Sequence, residues 1–340
     1  VTAEDHCPET LTVGVVGVGY LGTFHLQKYA AHPAVSSIVL YDLETGMARQ
    51  KADGLQSVHP LNVADSLEEC LEMCDAVSVA VPTAVHAPVV EQALKTGCHV
   101  LVEKPITSGS ESAWALVGAA KEADRILHVG HVERFNPALQ GLEDEEIVPR
   151  FIEAHRLAPY NPRGTDVTVV LDLMVHDLDL ILYLVGEEPT DIQAAGVPVI
   201  TDTADIANAR LGFPGGCVAN VTASRVSLSS MRKLRVFQRE MYLSLDLLQG
   251  KRELVRLRDD PGGIGRDEIP VMELEDHVIT RKEFQGERDA LEMEIDTFLR
   301  TVQAHGTGME QASLPGGVTG REAAVALGLA EEITRRIAGG

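Results

Sequence analysis

Lys104, Asp172 and His176 are the side chains whose types and surroundings best suit proton handling beside a developing negative charge. Lys104 follows the apolar run His99-Val-Leu-Val-Glu103 and precedes Pro105, so a cation and a rigid turn stand just beyond a strand end. A lysine there can donate a hydrogen bond to a hydroxyl or carbonyl oxygen and stabilise the charge that develops on it. Asp172-Leu-Met-Val-His176 separates a carboxylate and an imidazole by four positions, which on a helix puts both on one face as a general base and its orienting group. A surface ion pair at Glu103-Lys104 and a satisfied core histidine at 176 are the plain alternatives.

A second constellation suits a dinucleotide. Gly17-Val-Gly19-Tyr20-Leu21-Gly22 directly follows the apolar run Leu11-Thr-Val-Gly-Val-Val and opens a stretch of helical composition over 20–31. In that context Gly17 serves the tight turn, Gly19 the close approach of a diphosphate, and Gly22 the packing of helix on strand. The diphosphate then meets backbone N–H groups at the helix start, in the turn that carries Tyr20 and Leu21. Asp42 ends the next apolar run, twenty residues past Gly22, where a carboxylate accepts hydrogen bonds from an adenosine ribose. Leu43, Glu44 and Thr45 follow with no arginine, so the Asp42 charge disfavours the extra phosphate of NADP and the expected cofactor is NAD. Pro82 and Thr83 end another strand on the side that faces such a cofactor, as do Glu103 and Lys104. His86 is placed to touch the same ligand or to serve only the local turn.

The frame that positions these residues is legible in the alternation of apolar runs with helical stretches. Strands are expected at 11–17, 37–41, 75–81, 99–103 and 126–129, and helices at 20–31, 85–96 and 108–123. The runs are apolar almost throughout, the pattern of a parallel sheet covered on both faces. This is an open α/β domain, placed at 1–127. Beyond it, mixed strands at 147–156, 206–211, 218–223, 234–242 and 242–248, with a helix over roughly 168–184, describe a sheet-rich second domain over 128–340. Helical composition returns at 287–304 and 320–337, and the terminal helix is expected to pack back on the first domain.

With 340 residues, 45% of them hydrophobic and 24% charged, the chain suits two domains and excludes both a charged disordered chain and a membrane bundle. Its net charge of −22 repels a phosphate backbone, and no basic patch reverses that, so nucleic acid is not an expected partner. Cys7, Cys70, Cys74, Cys98 and Cys217 form no CxxC pair, and their odd number argues against internal disulfides and for the cytoplasm. Glu4, Asp5 and His6 precede the first apolar run, unlike the basic start of a signal peptide. No metal site is expected, because Asp177 and Asp179 near His176 lack a convergent ligand set. His128 and His131 lack a zinc partner set and suit interdomain packing or substrate contact better.

Gly17-Val-Gly19-Tyr-Leu-Gly22, Val81-Pro82-Thr83-Ala-Val-His86, Glu103-Lys104-Pro105 and Leu171-Asp172-Leu-Met-Val-His176 together resemble the motifs of the glucose-fructose oxidoreductase, inositol dehydrogenase and rhizopine-catabolism (Gfo/Idh/MocA) family, over about residues 11–337. The resemblance implies an N-terminal Rossmann domain and a C-terminal α/β domain built on a large, mostly antiparallel open sheet. It implies a homo-dimer or homo-tetramer, and it maps a catalytic lysine onto Lys104, an acid/base histidine onto His176 and a site-lining carboxylate onto Asp172. Members often carry glycine two residues before the histidine, where this chain has Met174, so the local backbone is expected to differ.

Gly130-His131-Val-Glu133-Arg134-Phe135-Asn136-Pro137 resembles the subgroup acting on nucleotide-linked amino sugars, the UDP-N-acetylglucosamine 3-dehydrogenases. Arg134 can pair with the ligand or with Glu133. Arg156 and Arg163 can grip a diphosphate through a planar fork, and Tyr160 or Asn161 can contact sugar or base, although each can equally stabilise a loop. The implied reaction is NAD-dependent oxidation of the C3 hydroxyl of UDP-N-acetylglucosamine to a 3-keto sugar that feeds amino-sugar biosynthesis. A dehydrogenase of inositol or a free sugar, and a non-catalytic NAD-binding regulator, are the alternatives.

Overall fold

Apolar, β-branched runs bounded by glycine or polar turns make the strands, and stretches with apolar residues three and four apart make the helices between them. The computed structural model of the chain describes residues 10–161, 167–259, 267–274, 277–305 and 317–339. They cluster into two units, Val1–Arg134 with Ala290–Val325, and Phe135–Asp289 with Ala326–Gly340. The units are therefore discontinuous in sequence, unlike the single cut at residue 127 expected above. An amphipathic helix shows that it has an apolar stripe, not which core receives it.

The first unit runs β1 (Leu11–Val16), α1 (Tyr20–Tyr29), β2 (Val35–Tyr41), α2 (Thr45–Gly54), β3 (Leu61–Val63), α3 (Leu67–Glu72), β4 (Ala76–Val79), α4 (His86–Thr96), β5 (His99–Glu103), α5 (Ser110–Ala123) and β6 (Leu127–Gly130). Its strands form a parallel six-stranded sheet in the order β3-β2-β1-β4-β5-β6. The chain winds outward from β1 through β2 to β3, then returns to β4 on the other side of β1, so the crevice for a ligand opens at the carboxyl ends of β1 and β4. Helix α1 buries Gly22, His25, Leu26 and Tyr29, one helical stripe that includes a histidine. The late helix Ala290–Ala304 contributes Ile295, Phe298, Leu299 and Val302 to the same core.

The second unit carries β7 (Phe151–Leu157), α6 (Val175–Val185), β8 (Asp191–Val197), β9 (Ile206–Gly212), β10 (Val218–Ser224), β11 (Met231–Gln238), β12 (Met241–Asp246), β13 (Lys251–Arg258), β14 (Ile269–Leu274) and β15 (His277–Gln285). These strands form a nine-stranded sheet in the order β14-β15-β13-β12-β11-β7-β10-β9-β8. Its described pairings are antiparallel except that of β7 with β10. Strand β7 alternates buried and half-buried positions, as a sheet with one covered face requires. The two strands expected to meet at Tyr242 part earlier, because Glu240 takes a left-handed φ of 61° and turns β11 into β12.

After β15 come α7 (Ala290–Ala304) and α8 (Gly320–Gly339). Leu329, Ala330 and Ile333 of α8 join the core of the second unit. Among the described residues, no helix is long and apolar enough to cross a membrane.

Candidate active site

The glycine turn after β1 separates what the backbone needs from what a ligand needs. Gly17 has φ +87°, and a Cβ there would lie 2.8 Å from the carbonyl oxygen of Ala80. A Cβ on Gly22 would lie 1.8 Å from the carbonyl oxygen of Gly17, so its absence lets α1 seat on the turn. Gly19 differs: a Cβ there would meet nothing within 4 Å. No protein atom demands glycine at 19, and the space its missing side chain leaves, at the first turn of α1, is where a diphosphate meets backbone N–H groups. The turn therefore fits a dinucleotide.

Asp42, immediately after β2, accepts a hydrogen bond from Val18 N at 2.9 Å through Oδ2 and one from Glu44 N at 3.0 Å through Oδ1. Each carboxylate oxygen keeps a lone pair for a further donor such as a ribose hydroxyl. Beside it lies a cavity of about 410 Å³ whose polar edge is Gly17, Gly19 and Asp42, and whose apolar walls include Leu43, Leu67, Val81 and Pro82. An apolar cavity next to a carboxylate suits an adenosine. Tyr20 is 79% exposed, with its ring edge-on to Phe24 at 5.0 Å, and Leu21 is also exposed. Thr83 begins a short 3-10 turn ahead of α4.

His86 has a structural task that its sequence position does not reveal. Its buried ring places Nδ1 2.9 Å from the Pro105 carbonyl and Nε2 2.8 Å from that of Val81, joining the loops that follow β4 and β5. Both ring nitrogens face backbone oxygens, so His86 holds the rim of the cofactor crevice by way of the protein. Lys104 follows β5, is half-buried, and is joined to Pro105 by a cis peptide bond. Glu103 before it directs Oε1 at His25 Nε2, 2.8 Å away.

His128 and His131, expected between domains or near substrate, are buried within the first unit. The His128 ring lies 5.8 Å from that of Phe298, and burial pushes its pKa down to about 4 against the opposing pull of Glu322. Arg134 is buried, with NH2 3.6 Å from Glu322 Oε1.

In the second unit, His176 lies in the first turn of α6, half-buried, with Asp172 in the preceding turn. The backbone over Val170–Met174 is a π-helix, so the even α-helical face assumed for Asp172 and His176 does not hold there. This distortion lies where Met174 replaces the family's common glycine. Arg156, suited by sequence either to a diphosphate or to holding a loop, makes a two-pronged pair with Asp177, Nε to Oδ2 at 3.0 Å and NH2 to Oδ1 at 2.9 Å. The pair is buried and ties the start of α6 to β7. Tyr160 and Asn161 are exposed, and Arg163 lies outside the described residues. Among the described residues, no group of three or more His, Cys, Asp or Glu could hold a metal ion.

Comparison with known proteins agrees with this architecture. Residues 11–131 match the model of an oxidoreductase family with an NAD-binding Rossmann fold, and residues 150–242 match the GFO/IDH/MocA C-terminal domain. A UDP-N-acetylglucosamine 3-dehydrogenase from Acidithiobacillus ferrooxidans is 39% identical over 297 residues, covering 87% of this chain and 90% of that protein. The chain belongs to the Gfo/Idh/MocA oxidoreductase family. Its cofactor is NAD, held by the Rossmann unit common to the family. A solved structure of the same Acidithiobacillus enzyme superposes with a TM-score of 0.82 at 35% identity, over 97% of this chain and 98% of that one. An inositol 2-dehydrogenase from Arthrobacter sp. is 32% identical over 196 residues, 54% of this chain and 57% of that protein. The scyllo-inositol dehydrogenase of Lactobacillus casei, solved with NAD(H) and scyllo-inositol, shares the fold of this Gfo/Idh/MocA chain at a TM-score of 0.67 and 17% identity, over 97% of each chain.

Proposed function

We propose that the chain oxidises the C3 hydroxyl of UDP-N-acetylglucosamine to a 3-keto nucleotide sugar. The observation that carries this reading is identity of 39% sustained over 87% of the chain and 90% of the Acidithiobacillus dehydrogenase. The match to the Arthrobacter inositol dehydrogenase spans only 54% of the chain. At the coarser level the substrate is a nucleotide sugar or a polyol, oxidised at a CH–OH group.

In this reading His176 accepts the proton of the C3 hydroxyl, and Lys104 donates a hydrogen bond to the same oxygen as it becomes a carbonyl. Bound NAD supplies the acceptor for the hydride leaving C3. Asp172 orients the imidazole or holds a neighbouring sugar hydroxyl. Asp42 and the glycine turn hold the adenosine ribose and diphosphate. Tyr160, Asn161 and Arg163 serve the substrate, with Arg163 suited to its diphosphate. The 3-keto product suits an amino-transfer reaction that makes a 3-amino sugar. The protein is a homo-dimer or homo-tetramer of the cytoplasm, a compartment that suits the free thiols of Cys70, Cys74, Cys98 and Cys217. Sedimentation as a monomer at all working concentrations would remove the oligomer.

Substrate carrying deuterium at C3 tests the reacting carbon. The label should appear in NADH, whereas NADH formed with the deuterium still in the sugar would put oxidation elsewhere.

A further inference from the structure

His25 sits on the apolar stripe of α1, three residues past Gly22, where a leucine would satisfy packing. It is 1% exposed, with Nε2 2.8 Å from Glu103 Oε1 and Nδ1 3.1 Å from Ser78 Oγ. Ser78 Oγ is in turn 2.7 Å from the hydroxyl of Tyr29, at the end of α1. Burial pushes the Tyr29 phenol above its ordinary range, which keeps its proton on and lets it donate. The hydrogen bonds then run one way. Tyr29 donates to Ser78, Ser78 donates to His25 Nδ1, and His25 Nε2–H donates to a carboxylate that only accepts.

The other side of that carboxylate is also fixed. A Cβ on Gly130 would lie 3.1 Å from Glu103 Oε2, 3.2 Å from Cδ and 3.3 Å from Oε1, so the group lies against bare backbone at the end of β6. Its residue closes β5, one strand from the crevice at β1 and β4, and its side chain keeps 12% exposure. A carboxylate held by a donor on one side and glycine on the other, at the carboxyl end of β5 and still 12% exposed, is a preformed acceptor.

We infer that His25 is a positioning residue for the cofactor: with Ser78 and Tyr29 behind it, His25 fixes the Glu103 carboxylate as an acceptor for a hydroxyl of bound NAD. This goes beyond the substrate reading and does not depend on which sugar is oxidised. The ordering of Glu103 is settled before the cofactor arrives, so NAD binding does not bear the entropy of fixing it.

NADH fluorescence titration of the purified protein without sugar tests the inference. His25→Leu, which keeps the packing and removes the donor, should weaken NADH about 10-fold or more. His25→Gln, whose amide can still donate toward Glu103, should return affinity to within about 3-fold of wild type. In turnover, the KM for NAD should rise in His25→Leu more than kcat falls. A folded His25→Leu protein that binds NADH as wild type does would overturn the inference. Should His25→Leu not fold, His25→Asn, one methylene shorter, is compared with His25→Gln, and equal NADH affinities would overturn it as well. Loss of UDP-sugar turnover with NADH binding intact in the wild type would count against the substrate reading alone.

Discussion

Asp42 Oδ2 lies 2.9 Å from the backbone nitrogen of Val18, so the carboxylate that lines the cavity beside the glycine turn also clamps that turn. In the proposed reading, one group thus sets both the shape of the turn that takes the diphosphate and the charge beside the ribose.

Asp42→Asn separates these two tasks. The amide oxygen can still accept from Val18 N–H, while the charge that repels a 2′-phosphate is gone. The ratio of kcat/KM for NADP to that for NAD should rise about 10-fold or more, with a stability loss of about 1 kcal/mol for the bond from Glu44 N–H that the amide cannot accept. Asp42→Ala removes clamp and charge together and should also weaken NAD. An unchanged cofactor ratio in both variants would show that discrimination lies elsewhere.

Alanine at Gly19 and at Gly22 should fail differently. Gly22→Ala drives a methyl to within 1.8 Å of a backbone carbonyl and should destabilise the fold by about 1–3 kcal/mol or more. Gly19→Ala meets no protein atom, so stability should stay within about 0.5 kcal/mol while NADH affinity falls. Urea unfolding and NADH titration on both variants give the comparison. Equal destabilisation by the two substitutions would contradict it.

The buried Arg156–Asp177 pair, with side chains 3% and 2% exposed, anchors the helix that carries His176. Arg156→Leu takes the guanidinium away from a buried carboxylate and should cost about 3–5 kcal/mol, while Arg156→Leu with Asp177→Leu should recover part of that loss. A double-mutant cycle by chemical denaturation measures the coupling. Additive losses would mean that the pair contributes no mutual energy.

Two buried histidines of the first unit set an acid limit. Burial, with His305 and Arg125 nearby, pushes His99 down to about 3, and burial pushes His128 down to about 4, from an ordinary 6.5. Below pH 6.5 the unfolded chain takes up protons at both positions while the folded chain does not. Stability should therefore fall by up to about 1.4 kcal/mol per pH unit for each group, until the folded-state values are reached. Above pH 6.5 neither contributes. Urea midpoints across that window should decline, and His128→Gln should flatten the slope by about one histidine's share. A flat wild-type profile would contradict the burial argument.

Much of the first unit was legible because its strands are continuous apolar runs and its turn is marked by three glycines. Helix α2, strand β3 and helix α3 were not, since β3 has three residues and α2 buries only Ala48. His86 reads as a ligand from its place after a strand, whereas only the fold brings the carbonyls of Val81 and Pro105 to its ring. His25 and Glu103 are separated by 78 residues, so neither periodicity nor motif spacing could pair them. Arg156 and Asp177 escaped for the same reason: a buried ion pair and a phosphate fork use the same residue type.

The most direct measurement follows NADH absorbance with purified protein and NAD, challenged separately with UDP-N-acetylglucosamine, UDP-glucose and myo-inositol in the presence of a ketone trap. Selective turnover of UDP-N-acetylglucosamine is predicted, falling at least about 100-fold in Lys104→Ala and in His176→Ala while both variants still bind NADH. Preference for myo-inositol, or full activity in either variant, would contradict the account.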